Sequence, residues 1–389
     1  MTRKNYSYIF FVTYVSLAKD KDKMTHLKSY LKKKHIIILL CCFVYCVFSF
    51  LIYGISRFFP SVVYKVYTLN IYRVLTLPLK AFASVLPFSV AEILLLILIT
   101  AIILGLFISL YLKKIRQYVA LLFCIIFFIG GNFVWLGGMN YNALTFKDLA
   151  GYNVTKPEAS DLERLCFLLA EKASESRKAL KENSSGIITD SRNVKNILTE
   201  SEKGFKELSA SYNFFNMYTT TPKAALSSSL MCYEQISGIF PIVYTESLIN
   251  SKAPVYSIPH TACHELSHQF GFMQEDEANF IGFLACINNS DPLYVYSGYY
   301  SALISAMNKL HTYNYDAWLR IRSTADQGVF RDISFESEFW SSYEKKAPGI
   351  SQLSQNVNDK YLQANNVTDG AESYGRMVDL LIAHYRTQI

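Results

Sequence analysis

The sequence holds no CxxC pair, no internal repeat, no low-complexity run and no stripe of basic residues interleaved with aromatics. The first absence removes zinc ribbons and thioredoxin-type redox sites. The second and third remove solenoids and linker-like tails. The fourth makes nucleic acid an unexpected partner despite a formal net charge of +7, because a nucleic-acid footprint needs a clustered basic surface. Charge is also missing from three long stretches: Ile36 to Ser56, Ile93 to Leu112 and Val119 to Gly137 contain no Asp, Glu, Lys or Arg. Each has about the length needed to cross a hydrocarbon core of ~30 Å as a helix. With polar groups so scarce inside them, and only Glu92 at an edge, a channel or transporter is disfavoured.

The positive charge that exists is informative by position. Lys32-Lys33-Lys34 precedes the first apolar run, and Lys113-Lys114-Ile115-Arg116 fills the turn between the second and third. Basic flanks stay cytoplasmic, so residues 1–35 are expected as a basic cytoplasmic lead, 36–137 as a membrane region with spans at 36–56, 93–112 and 119–137, and 138–389 as an extracytoplasmic domain. The expected location is a bacterial cell membrane, crossed several times, with the lipid bilayer as a partner. The loop from Arg57 to Glu92 carries Lys65, Arg73 and Lys80 among apolar residues, and is expected on the outer membrane surface or partly within it. Tyr8 to Ala18 is too short to cross and is followed by no small-residue cleavage site, so a cleaved signal peptide is not expected. Met24 is a second candidate start.

The remaining residues alternate charged and apolar side chains as a water-soluble domain does. Ser160-Asp161-Leu162-Glu163 has the form of a capping box before Leu162, Leu165, Leu169 and Ala173 at helical spacing. Thr199 to Glu202 repeats the signature, and Gly370 to Arg386 is helical again. Glu182 to Asp190 reads as a loop, and Pro222 suits the first turn of a helix. Gly238 to Thr245 and Val255 to Ile258 are β-branched and aromatic, predicting a small antiparallel ribbon. The expected fold is therefore three transmembrane helices plus a mainly α domain with a small β ribbon. Of eight cysteines, Cys166, Cys232, Cys263 and Cys286 fall in this domain, where buried free thiols are favoured over disulfides.

One segment carries chemistry: His264-Glu265-Leu266-Ser267-His268. On a helix, residues four apart sit one turn above each other, so two imidazoles face one metal ion. Glu265 beside them is the expected catalytic base, polarising the attacking water and passing its proton to the leaving amine. With seven histidines in the chain, a chance match to HExxH is expected on the order of 0.01 times. Pro259 fits the first turn of this helix, Gly271 fits its end, and Cys263, Leu266 and Phe270 form an opposite, core-facing stripe.

A catalytic zinc site takes three protein ligands and keeps a position for water. Gln274 occupies the place where the metzincin pattern has its third histidine, and a neutral amide is a poor replacement. A carboxylate from Glu275-Asp276-Glu277 is the natural third ligand. If a helix begins near Glu275, that residue shares a face with Asn279, Gly282 and Cys286, a small and polar stripe able to approach the first helix closely. Glu277 then points about two hundred degrees away. Glu275 is preferred as ligand, with Glu277 as the alternative and Asn279 as a histidine-orienting partner. Tyr296 and Tyr299 are candidate oxyanion donors, with Tyr374 and Arg376 behind them, and His260 lies one turn before His264.

The segment His264 to Asn279 resembles the gluzincin arrangement, an HExxH followed by a glutamate, with an unusually short gap. More closely, Pro87-Phe88-Ser89, the HExxHxxGxxxEDEAN block, Tyr296-Ser297-Gly298 and Ser373-Tyr374-Gly375 resemble an uncharacterised bacterial family of membrane-anchored proteins, known as a domain of unknown function numbered 3810. That resemblance implies a zincin-like fold and one Zn2+ ion, and no substrate. The expected function is a membrane-anchored zinc metallopeptidase acting on an exported or membrane-proximal polypeptide. The alternative is a zinc-binding membrane sensor or scaffold without general proteolysis.

Overall fold

The computed structural model describes residues 21–154, 158–365 and 376–389. Tyr8 to Ala18 and Ser373-Tyr374-Gly375, both singled out above, lie outside the described residues. The chain forms two compact units, Met1–Ile52 with Ile97–Asn132, and Tyr53–Leu96 with Phe133–Ile389.

The first unit is built from apolar helices. Helix α1 runs Lys21–Ser56, and α3 (Val90–Tyr111) and α4 (Ile115–Leu136) are joined by a turn at Lys113, whose φ is +54°. Among the described residues three stretches are long and apolar enough to cross a membrane, Lys34–Ser56, Val90–Tyr111 and Ile115–Leu136. The protein is a membrane protein. Within this unit Phe43 meets Phe127 edge-on at 5.3 Å, and the Tyr118 hydroxyl donates to the Ile102 carbonyl at 2.7 Å.

In the second unit a π-helical stretch, Val63–Tyr72, continues into α2 (Arg73–Val85). After α4 come a 3-10 turn (Gly138–Asn142), α5 (Phe146–Ala150) and α6 (Ala159–Arg177). Leu162, Leu165, Leu169 and Ala173 of α6 are all buried, as their spacing predicts. Its cap lies slightly earlier than expected, with Glu158 and Asp161 completing the capping box. Next are strands β1 (Lys181–Glu182) and β2 (Ile188–Thr189), then α7 (Val194–Thr199) and α8 (Ser201–Ser211). Then follow β3 (Lys223–Ala224), α9 (Ser228–Glu234), β4 (Gly238–Ile239) and β5 (Leu248–Ile249). The chain closes with α10 (Ile258–Gln269), α11 (Glu275–Ile287), α12 (Pro292–Tyr313), α13 (Tyr315–Thr324), α14 (Gln327–Lys346), α15 (Pro348–Ala364) and α16 (Met377–Tyr385). The core forms where α10 packs on α11 and α12, and α12 on α6. All four cysteines of this domain are buried free thiols.

Three sequence expectations need correction. The antiparallel ribbon of Gly238–Thr245 with Val255–Ile258 does not form. Only Gly238–Ile239 pairs, with Leu248–Ile249, in a three-stranded sheet ordered β3-β5-β4 whose β3 is parallel to β5. Proline accounts for the difference. Pro241 has no N–H for a ladder, and its carbonyl accepts from Tyr244 and Thr245 in a turn, while the Pro254 carbonyl accepts from Ser257 on the way into α10. Secondly, the loop Glu182 to Asp190 holds all of the β1–β2 hairpin except Lys181, turned at Gly186 with φ +74°. Thirdly, Pro222 opens strand β3 rather than a helix.

Candidate metal centre

Helix α10 starts with Pro259 in its first turn and stops at Gln269, with Gly271 beyond it at φ +98°. Its apolar stripe of Cys263, Leu266 and Phe270 is buried in the core, and that anchors the opposite face. On that face His264 and His268 stack edge to face, with ring centroids 4.9 Å apart. Their Nε2 atoms lie 3.2 Å from each other.

The second ligand helix comes close because of Gly282. A Cβ there would lie 3.1 Å from the His264 backbone nitrogen, so α11 approaches α10 nearly backbone to backbone. This contact brings Glu275, the first residue of α11, onto the histidines: its carboxylate is 3.2 Å from His264 Nε2 and 3.8 Å from His268 Nε2. His264, His268 and Glu275 thus form one group able to hold a metal ion, with donor atoms all within 4.8 Å of one another. Glu277 points elsewhere. It is buried and accepts the Lys147 N–H at 3.3 Å, with burial pushing its carboxyl up to about 7 against the pull of the Phe146 and Lys147 N–H groups. Asp276 pairs with Arg376 at 3.0 Å.

The outer partners of the histidines decide which nitrogen faces inward. His264 Nδ1 meets the Asn279 side-chain oxygen at 2.9 Å, and His268 Nδ1 meets the Phe272 carbonyl at 2.7 Å. Both partners are acceptors, so both Nδ1 atoms carry hydrogen in the neutral rings, and both Nε2 lone pairs turn towards the same point. Two lone pairs and a carboxylate directed at one spot repel unless a positive charge sits among them. The titration pattern agrees. Burial pulls His264 down, but the Glu275 hydrogen bond and the charges of Glu265 and Glu275 outweigh it and hold the ring at about 9. Burial pushes His268 down to about 4, the charge of His264 adding to it against that of Glu275. The pair therefore takes up one positive charge rather than two.

Glu265 lies beside this point, its carboxylate 4.0 Å from His264 Nε2. Burial lifts it to about 8, opposed by His264 and reinforced by Glu275. The β4 backbone runs against it, since a side chain at Gly238 would meet Glu265 Oε1 at 2.7 Å. β4 is an edge of its sheet among the described residues. Phe240, just past β4, lies against the His268 ring at 5.9 Å. His260, one turn before His264, is buried, with Nε2 3.1 Å from the Asn279 carbonyl. It supports Asn279 rather than joining the group.

The tyrosines fall differently from expectation. Tyr296 is fully buried and its hydroxyl donates to Asp332 at 2.6 Å, while Tyr299 packs its ring on Phe283. The structure brings neither hydroxyl to the histidines. Sequence reading missed Tyr141 and Tyr361, whose hydroxyls are 3.2 Å apart. Burial raises both phenols, and the charge of Glu275 contributes to each, so both lie within its electrostatic reach. The one available signal for Tyr141 was Asn140-Tyr141-Asn142, hydrogen-bonding side chains directly after an apolar span. Tyr361 had none.

A family model described as Protein of unknown function (DUF3810) matches residues 67–382. The chain belongs to this family. The match takes in both ligand helices, β4, Tyr141 and Tyr361, while the first apolar span, Lys34–Ser56, precedes it. No curated protein and no solved structure matches the chain.

Proposed function

We propose that this membrane protein is a zinc-dependent peptidase with a gluzincin-like site, in which His264, His268 and Glu275 hold one zinc ion and Glu265 is the catalytic base. The observation that carries the reading is the convergence of two Nε2 lone pairs and the Glu275 carboxylate beside a second carboxylate. Donor chemistry and spacing fit zinc. Two nitrogens bound at about 2.0–2.1 Å with tetrahedral angles lie about 3.3 Å apart, close to the 3.2 Å between His264 and His268. Three ligands leave a coordination position open, the arrangement of catalytic rather than structural zinc. When bound, the ion acidifies water and polarises a carbonyl.

The protein's own groups supply the remaining steps. Burial lifts Glu265 to about 8, and a cation held beside it would lower that value and favour the ionised carboxylate, the form that can act as a base. It then takes a proton from the attacking water and hands it to the departing amine as the C–N bond breaks. Tyr141 and Tyr361, which feel the charge of Glu275 and are hydrogen-bonded to each other, are the hydroxyls we assign to the developing oxyanion. β4, an edge strand among the described residues with Gly238 packed on Glu265, suits an extended peptide added as a strand.

The test pairs metal content with turnover. Glu265→Gln is expected to keep zinc and lower peptide cleavage by roughly 10²–10⁴-fold. Zinc-loaded wild type that cleaves no member of a broad peptide library refutes the reading.

A further inference from the structure

Between α1 and α3 much of the exposed surface is apolar, although Val63, Tyr67 and Ala83 are buried. Phe58, Val74, Phe82 and Val85 are 78%, 70%, 59% and 78% exposed, whereas Thr68, Tyr72, Thr76 and Lys80 of the same stretch are buried. A water-facing segment has the reverse order, and a continuous exposed apolar face marks a partner or a membrane. Continuity identifies the occupant. This stretch begins two residues after one helix able to cross a membrane ends at Ser56, and it leads into another that begins at Val90.

Its polar side explains why it is built this way. The Tyr72 hydroxyl lies 3.4 Å from the His268 carbonyl and 3.2 Å from that of Gln269, and Lys80 Nζ donates to the Gln269 carbonyl at 3.0 Å. Both carbonyls lie at the C-terminal end of α10, where the dipole favours a cation; that of His268 also accepts the Gly271 N–H at 3.0 Å. The apolar-faced segment therefore grips the metal helix directly by its end.

Two further ties hold the site to the ends of membrane helices. Glu246 accepts the Val90 and Ala91 N–H groups at 3.3 and 2.6 Å, and its neighbour Ser247 donates to the Glu265 carbonyl at 2.8 Å. Phe133 and Leu136, the last turn of α4, pack on Ile242 and Met273 beside the ligand loop. No stalk separates the site from these ends.

We propose that the apolar face of residues 58–88 lies in the boundary between headgroups and acyl chains, and that the metal site acts on polypeptides anchored in the same bilayer, cutting them just outside it. The substrate half rests on the peptidase reading above. The surface half does not.

The full chain in phosphatidylethanolamine–phosphatidylglycerol vesicles tests both halves. With a benzophenone side chain replacing Phe82 or Val85, illumination is expected to yield lipid adducts. The same group replacing the exposed Tyr315 of α13 is expected to yield none above background. Protein–protein adducts in place of lipid adducts, or equal lipid labelling at Tyr315, overturn the surface. In the same vesicles, a randomised peptide library carried on a single-span anchor is expected to be cut roughly a hundredfold faster than the library free in solution at equal bulk concentration. Equal rates overturn the substrate class. Lipid adducts with no cleavage of either library refute the peptidase reading and leave the docked surface standing.

Discussion

Two clusters of charge are buried in the second unit, and they are built on opposite principles. Around Asp332, which is wholly buried, each acidic oxygen meets donors: Arg177 Nε at 2.9 Å, the Tyr296 hydroxyl at 2.6 Å and the Ile188 N–H at 3.1 Å. Arg177 in turn reaches Glu182 at 2.9 Å and the Gly186 carbonyl at 2.7 Å. In that cluster Arg177 is paired with two carboxylates, and each donor meets an acceptor. Around His264 and His268 the outer nitrogens are matched in the same way, but the inner nitrogens and the Glu275 carboxylate converge on one point and share a single positive charge. The first cluster needs nothing more, because its partners offset the desolvation of each ion. The second becomes favourable with a cation. Burial of charge alone therefore does not distinguish the two clusters; the convergence of metal-ligating side chains on one point does.

Substitutions can break this contrast, starting with the largest effect. Glu275→Gln removes the anionic donor and is expected to abolish stoichiometric zinc in the purified protein, while Glu277→Gln leaves it unchanged; metal analysis of the two variants decides. Asp332→Ala strands the Arg177 charge in the interior and is expected to cost about 3–5 kcal/mol of stability, read by thermal or denaturant unfolding, with the metal content of the folded fraction unaltered. Asn279→Ala frees the His264 ring without removing a ligand, so competition with a chelator is expected to show zinc affinity lower by roughly 10–100-fold. Smallest is Tyr296→Phe, which deletes one hydrogen bond to Asp332. It is expected to cost about 1–3 kcal/mol and to leave peptide cleavage untouched, whereas Tyr141→Phe should slow cleavage and spare stability at the Asp332 cluster.

The metal group was the most legible part of the chain, because a helix enforces its own geometry. Once His264 and His268 are four apart, and Glu275 and Asn279 four apart, their faces follow from the helical turn alone. The three apolar helices were equally plain, since length and lack of charge suffice. What could not be read depended on partners far along the chain. Tyr141 and Tyr361 meet across 220 residues. The aromatic and β-branched run from Gly238 looks like a strand, yet Pro241 ends it after two residues. Residues 58–88 are expected at the outer membrane surface or partly within it from their scattered basic residues, while the contacts of Tyr72 and Lys80 with the end of α10, 197 and 189 residues on, had no local signal.

Gly282 sets a tolerance for the whole site. The gap between the two ligand helices is gauged by a hydrogen atom, with the His264 backbone on its far side. A side chain there would press the two helices apart and with them Glu275 from the histidines, so on the proposed reading the size of ion that fits is set by the spacing of two backbones, at a position with no chemistry of its own.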